Sequence, residues 1–435
     1  MSRFRLFILF LLVGIFSIGV LIWYFFFITP QVSPTLGGTN NPLPSNSLPA
    51  RFEFITKYFS NDVPSSESTT TVTTQAEIPL RQVWKAPATG QTLVFIPIIK
   101  EVDATSTVVT KATTTIIAIK KSVRATSTIL MFVDKTTGYV YGDELEIAKT
   151  YQITNTTLPG IYDAYLFNNA KQILLRYLDA DGKNIISIIA TIPNVPIQGS
   201  PLPLINISYL PQNVSSVAVS ASSNKISYLV AGASGSSIYT ITNNGQTLTA
   251  TSPFSEWNLS YGGEQLFATS KASAYTEGST VLIPSFTRII GDKTGLTSLP
   301  SKKGPIINSM WGNGGLVTYL FSGNGTTLVL PIKTLSVKCV WDSGLFAVCG
   351  VPNTIPNSSE GLPDDWYQGT VSFNDSLVLV DTEKGNTYPI YSFDEGVGEM
   401  DITHLVVSSD RTLISFIRKQ NGTLWLLNTN LLPQG

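Results

Sequence analysis

The residues with the clearest chemical potential stand side by side at Asp364-Asp365-Trp366-Tyr367. Adjacent carboxylates can move protons or hold a cation, and a neighbouring Trp and Tyr offer flat faces on which a sugar ring stacks. The same residues follow Pro363, where Asp is ordinary turn chemistry and a large aromatic pins a loop onto the body beneath it. Asp364, Asp365, Trp366 and Tyr367 therefore form the candidate ligand-binding set, with a structural role as the competing reading. His404 is the single histidine. It begins an apolar run, where imidazole is most often a structural or surface group, and no G-x-S-x-G elbow supplies a nucleophile for it. Asp179-Ala180-Asp181-Gly182 starts like a calcium loop but lacks the distal Glu, so it reads as a hairpin turn. Arg176-Tyr177 either lines a polar channel or faces solvent. With two cysteines and one histidine, a Cys/His zinc site is excluded. The expectation is no catalytic set, no metal and no cofactor.

Cys339 and Cys349 flank WDSGLFAV. If Ser343-Gly344 turns a β-hairpin, the two cysteines face each other and can form a disulfide. Two small buried hydrophobes would be the alternative.

The elements that must position these residues are strands. From Leu80 onward, short runs of Val, Ile, Leu, Tyr, Phe and Thr alternate with Gly, Asn, Asp, Ser and Pro clusters, and no stretch holds a helical period over a full helix length. Hairpins are legible at 129–141, 174–189, 237–250, 377–390 and 414–427. A signature of turn residues leading into an inner strand recurs at 89–95, 168–174, 223–228, 262–267, 312–317, 342–347 and 409–416. Seven recurrences at roughly fifty residues each give the size of a four-stranded propeller blade. The first unit carries a Thr-rich insert, Glu101 to Thr128, and the sixth another, Val351 to Gly369. The predicted fold is all-β, a single propeller of about seven four-stranded blades over 80–435, its last blade closed by Arg81–Trp84 pairing near Thr423–Leu427.

Ser409-Asp410, Leu413-Ile414-Ser415-Phe416 and Asn421-Gly422-Thr423-Leu424-Trp425-Leu426 resemble the blade motif of TolB-type, WD40-like propellers. Ser409 and Arg411 depart from that motif's Pro and Gly. Residues 223–241 are similar more loosely, and 134–182 resemble membrane-anchored bacterial propellers without an assigned activity. These motifs are structural, so the resemblance implies architecture and not chemistry.

The N-terminus fixes the expected location. After a basic tip (1–5, with Arg3 and Arg5), Leu6 to Ile28 run without a charge. At 1.5 Å per residue such a helix spans about 34 Å, enough for a bilayer core. Trp23 and Tyr24 are interface anchors, and no small-residue cleavage site follows. The positive-inside rule places the tip in the cytoplasm and the rest outside. Residues 29–79 read as a Pro/Ser/Thr-rich tether, disordered or partly ordered. Only 13% of residues are charged, with a net charge of −1 and no basic stripe, so nucleic acid is excluded as a partner. The expectation is a single-pass protein of the cytoplasmic membrane whose propeller serves as a binding or scaffold module for a protein or glycan partner. A carbohydrate-active enzyme with acidic residues near the funnel, and a purely structural envelope protein, are the alternatives.

Overall fold

The structure, a computed structural model, describes residues 78–432 apart from 111–112, 194–198, 221–222, 313–314, 323–324, 343–344 and 357–360. The expected membrane segment 6–28 and all but the last two residues of the expected tether 29–79 lie outside the described residues. Among the described residues, no helix is long and apolar enough to cross a membrane.

Twenty-eight strands, β1 to β28 in chain order, form seven four-stranded antiparallel sheets among the described residues. Blades 1 to 6 take consecutive strands: 88–152, 161–209, 214–252, 257–294, 297–329 and 339–392. Blade 7 combines β26 (Ile402–Val407), β27 (Leu413–Arg418) and β28 (Leu424–Asn428) with β1 (Leu80–Trp84), which pairs Leu80 with Leu427 and Trp84 with Leu424. The first strands of neighbouring blades adjoin one another and form the inner ring. The chain is thus a seven-bladed β-propeller closed by its strand β1, and radial repetition leaves each blade only a short outer edge.

Stacked blades bury both faces of their middle strands, so those strands read as continuous apolar runs. β7 (Gln172–Leu178) buries Ile173, Leu174 and Leu175 completely, whereas the outermost strand of the same blade, β9 (Ile205–Tyr209), is exposed throughout. The core is accordingly divided into interblade layers, one at each junction. Ile129, Ile161 and Ile173 fill the junction of blades 1 and 2, Leu424 and Phe132 that of blades 7 and 1. The remaining five junctions have their own clusters.

The recurrent turn signature leads into the second strand in five blades. In blade 1 it opens the first strand and in blade 5 the third. Blade count was recoverable from it, but strand position was not. The insert expected at 101–128 is the far part of one hairpin. β2 (Ala88–Thr110) and β3 (Thr113–Asp134) pair without interruption from Thr92–Met131 to Thr110–Thr113. The next strand, β4 (Val140–Glu144), covers only Ile129–Val133. About fifteen residue pairs therefore run on as a two-stranded ribbon, roughly 50 Å at 3.4 Å per residue.

Cys339 opens β22 (Cys339–Trp341) and faces Cys349 of β23 (Phe346–Pro352); the two are joined by a disulfide with an S–S distance of 2.06 Å. It lies within the buried cluster between blades 5 and 6. The bond closes a loop of sequence separation 10. Replacing both cysteines by Ala is expected to lower stability by about 2–4 kcal/mol through the freed unfolded chain. Urea denaturation with and without reductant reads this, and a wild-type midpoint indifferent to reduction would refute it.

Candidate binding mouth on the upper face

In each blade the first strand starts, and the second and third strands are joined, on one side of the ring, here termed the upper face. Two kinds of feature divide it. The insert between β23 and β24 (Asp375–Asp381) lies over blades 4 to 7. The inner strands of blades 7, 1, 2 and 3 are irregular at their upper ends.

The insert carries the candidate set. Asp364 to Gln368 form a short helix, α1. Asp364 Oδ2 accepts from the Ala274 amide of blade 4 (2.5 Å), and Asp365 Oδ2 accepts from the Gly361 amide (2.8 Å). Both carboxylates thus hold backbone, which accounts for them structurally. Trp366 is buried, 5% exposed, and its Nε1–H donates to both oxygens of Asp401 at 3.0 and 2.9 Å. Tyr367 is half exposed beside it, with ring centroids 5.3 Å apart. Lys419 of blade 7 donates to the Trp366 carbonyl (2.6 Å), and Gln420 donates to Ser372 Oγ (3.0 Å). Trp366 is therefore the pin that fixes the insert, and a stacking role is open only to Tyr367.

Beneath the pin lies a group that the sequence did not flag. Lys338, Asp375 and Asp401 have side chains with no solvent exposure. Lys338 Nζ is 2.8 Å from Asp375 Oδ2, bonds Asp401 Oδ1, and donates to the Ile402 carbonyl at 3.0 Å. It stands 5.1 Å from the ring centroids of both Trp366 and Phe373. Asp401 also accepts from Ser372 Oγ (3.3 Å) and the Phe373 amide (3.2 Å), so donors surround it. Asp375 Oδ2 accepts from the Ile402 amide (2.6 Å), while Oδ1 is buried without a partner among the described residues. Burial, only partly opposed by Lys338, pushes the Asp375 carboxyl up to about 6. Gly350 of β23 lies against this group. A Cβ there would approach Asp375 Oδ2 to 3.3 Å and Ile402 Cβ to 3.0 Å.

On the other half of the upper face, four consecutive inner strands each hold one extra residue relative to their partners. The shifts fall between Thr89 and Thr92 in β2, Ile161 and Asp163 in β6 (Ile161–Phe167), Val214 and Ser216 in β10 (Val214–Val219), and Thr403 and Val406 in β26. Bulges re-aim side chains at the ends of strands. Here they set Gln91, Tyr162, Ser215 and His404 at the upper end of the inner ring. Gly90, at φ 60°, permits the tight approach of β2 to β6, because a Cβ would lie 2.7 Å from Ala164 Cβ.

The groups at this mouth are linked. Gln91 Nε2 donates to the His404 carbonyl (2.5 Å), leaving Gln91 Oε1 buried and unpartnered among the described residues. Arg176, on β7, is buried and donates to Asp163 Oδ2 (3.2 Å) and the Val214 carbonyl (2.5 Å), with Nε unpartnered among the described residues. Its guanidinium sits 5.0 Å from the Tyr162 ring centroid, and Tyr165 Oη donates to Asp163 Oδ2 at 2.9 Å. His404 is open to solvent yet closely surrounded by protein. Burial, aided by Lys135 and opposed by Asp163, lowers its pKa below the ordinary imidazole value. Arg176 faces neither solvent nor an open channel: it is buried, 5% exposed, and paired with Asp163.

No family model matches the chain, and no curated protein matches it. Solved structures similar to it share low identity with it. The β-propeller domain of the Trilobed protease from Pyrococcus furiosus is 11% identical over 59% of this chain and 76% of that one, with a TM-score of 0.39. An oligogalacturonate lyase in complex with manganese is 11% identical over 80% and 99%, at 0.43. The oligogalacturonate lyase from Vibrio parahaemolyticus is 9% identical over 69% and 86%, at 0.42. No residue role transfers across such distances.

Proposed function

We propose that this chain is a membrane-anchored, extracytoplasmic binding module whose propeller takes a protein or glycan partner at the mouth between blades 7, 1, 2 and 3. The observation carrying the reading is the run of four bulged inner strands, which sets Gln91, Tyr162, Ser215 and His404 at one end of the ring, where Gln91 Oε1 and Arg176 Nε are buried without partners among the described residues. A neutral imidazole, an amide and an aromatic face suit uncharged hydrogen-bonding groups more than a strong anion or cation. The charge-free run 6–28 behind Arg3 and Arg5 supports the anchor and its orientation. The Cys339–Cys349 bond is consistent with an oxidising compartment.

A photo-crosslinking residue at position 404, in full-length protein on intact cells, is expected to give a discrete adduct. The same residue at Leu248, exposed on the outer strand of blade 3, is expected to give none. Equal labelling at both positions, or none at 404, would overturn the mouth as the binding site. Protease added outside the cells is expected to remove the propeller, and without protease the chain is expected to stay in the alkali-washed membrane fraction.

A further inference from the structure

The Lys338–Asp375–Asp401 group has the makings of a reaction as well as an ion pair. We propose that Lys338 and Asp375 condense to an intramolecular amide, a covalent cross-link within blade 6, with Asp401 moving the protons.

The geometry supplies each part. Nζ is 2.8 Å from a carboxyl oxygen of Asp375, so the two reacting groups are already in contact, as proximity requires. The Ile402 amide, 2.6 Å from Asp375 Oδ2, is placed to stabilise the oxyanion that forms on that atom. Oδ1 is the oxygen that leaves, and no hydrogen bond among the described residues ties it down. Asp401 touches Nζ and accepts hydrogen bonds from Trp366, Ser372 and the Phe373 amide. The flanking rings of Trp366 and Phe373 exclude water from Nζ. A raised Asp375 pKa supports the protonated, electrophilic form.

The step balances. Asp401 takes one proton from the Lys338 ammonium, and the free amine attacks the γ-carbon of the Asp375 acid. The new C–N bond forms as the C–O bond to Oδ1 breaks. A second proton passes from nitrogen to Oδ1, which departs as water. An ammonium, a carboxylic acid and a carboxylate become an amide, a water and a carboxylic acid on Asp401, with no oxidant or further reactant. Amide formation is opposed in bulk water, but fixed partners in a dry site act at an effective concentration of about 10⁵–10⁸ M.

The test is the mass of full-length protein extracted in detergent and reduced. The expected mass is one water below that of the sequence, with tandem spectra joining the Lys338 and Asp375 peptides. Asp375→Asn is expected to lose ammonia in place of water. Asp401→Ala is expected to keep the full sequence mass while retaining a β-type circular dichroism spectrum. Wild-type protein at full sequence mass, or a link from Lys338 to Asp401, would overturn the proposal. The wild-type and Asp375→Asn masses decide the matter even where Asp401→Ala fails to fold.

Discussion

Replacing Lys338 with Met is expected to lower the unfolding free energy by about 3–5 kcal/mol, because Asp375 and Asp401 are left buried without the lysine that both contact. Asp401 sits at zero exposure and keeps its other donors in this variant, so the penalty is electrostatic before it is steric. Adding Asp401→Asn to Lys338→Met removes one of the two buried carboxyls that Lys338 contacts. The double variant is expected to recover part of the loss, with a coupling of about 0.5–3 kcal/mol. Urea midpoints of the two single variants and the double variant measure the cycle. Strict additivity would mean that the three groups do not act as a unit.

The second large effect is expected at the seam of the ring. Phe132 is fully buried in the junction of blades 7 and 1, with its ring centroid 5.3 Å from Trp84 and 5.7 Å from Tyr141. Trp84 itself belongs to the closing strand and donates from Nε1 to Asp134 Oδ2 at 2.9 Å. Phe132→Ala leaves a ring-sized cavity in that layer and is expected to cost about 3–5 kcal/mol. Leu248→Ala, on an exposed outer strand, is expected to fall within about 0.5 kcal/mol of wild type. Thermal unfolding of both variants tests the contrast, and equal shifts would deny the seam its special weight.

The propeller was legible because its signals are local. Asn and Gly turns and strand-length apolar runs mark each hairpin within a dozen residues, and the pairing of 81–84 with 423–427 followed from ring closure. The cysteine pairing could be read because one short turn fixes its register. The buried triad could not, because Lys338, Asp375 and Asp401 come from blade 6 and the start of blade 7 and meet only when the blades stack. Its one trace is positional. Each is a single charge at the head of an apolar strand, in a chain only 13% charged. The mouth was equally hidden, since Gln91, Tyr162, Ser215 and His404 look like ordinary strand residues until a one-residue slip in register turns them. Asp364 and Asp365 drew notice through composition, and in the structure each accepts from a backbone amide, of Ala274 and of Gly361.

Closure by β1 has a mechanical consequence. Whatever force reaches the domain along the preceding chain is applied at Leu80, the first residue of the strand that seals the ring. That strand offers four paired positions against β28, interrupted at Val83. A pull from the N-terminal side therefore loads a short ladder first and every other blade afterwards. The propeller is built to yield at blade 7, and tension would convert its one sealed joint into an open edge before any other blade gives way.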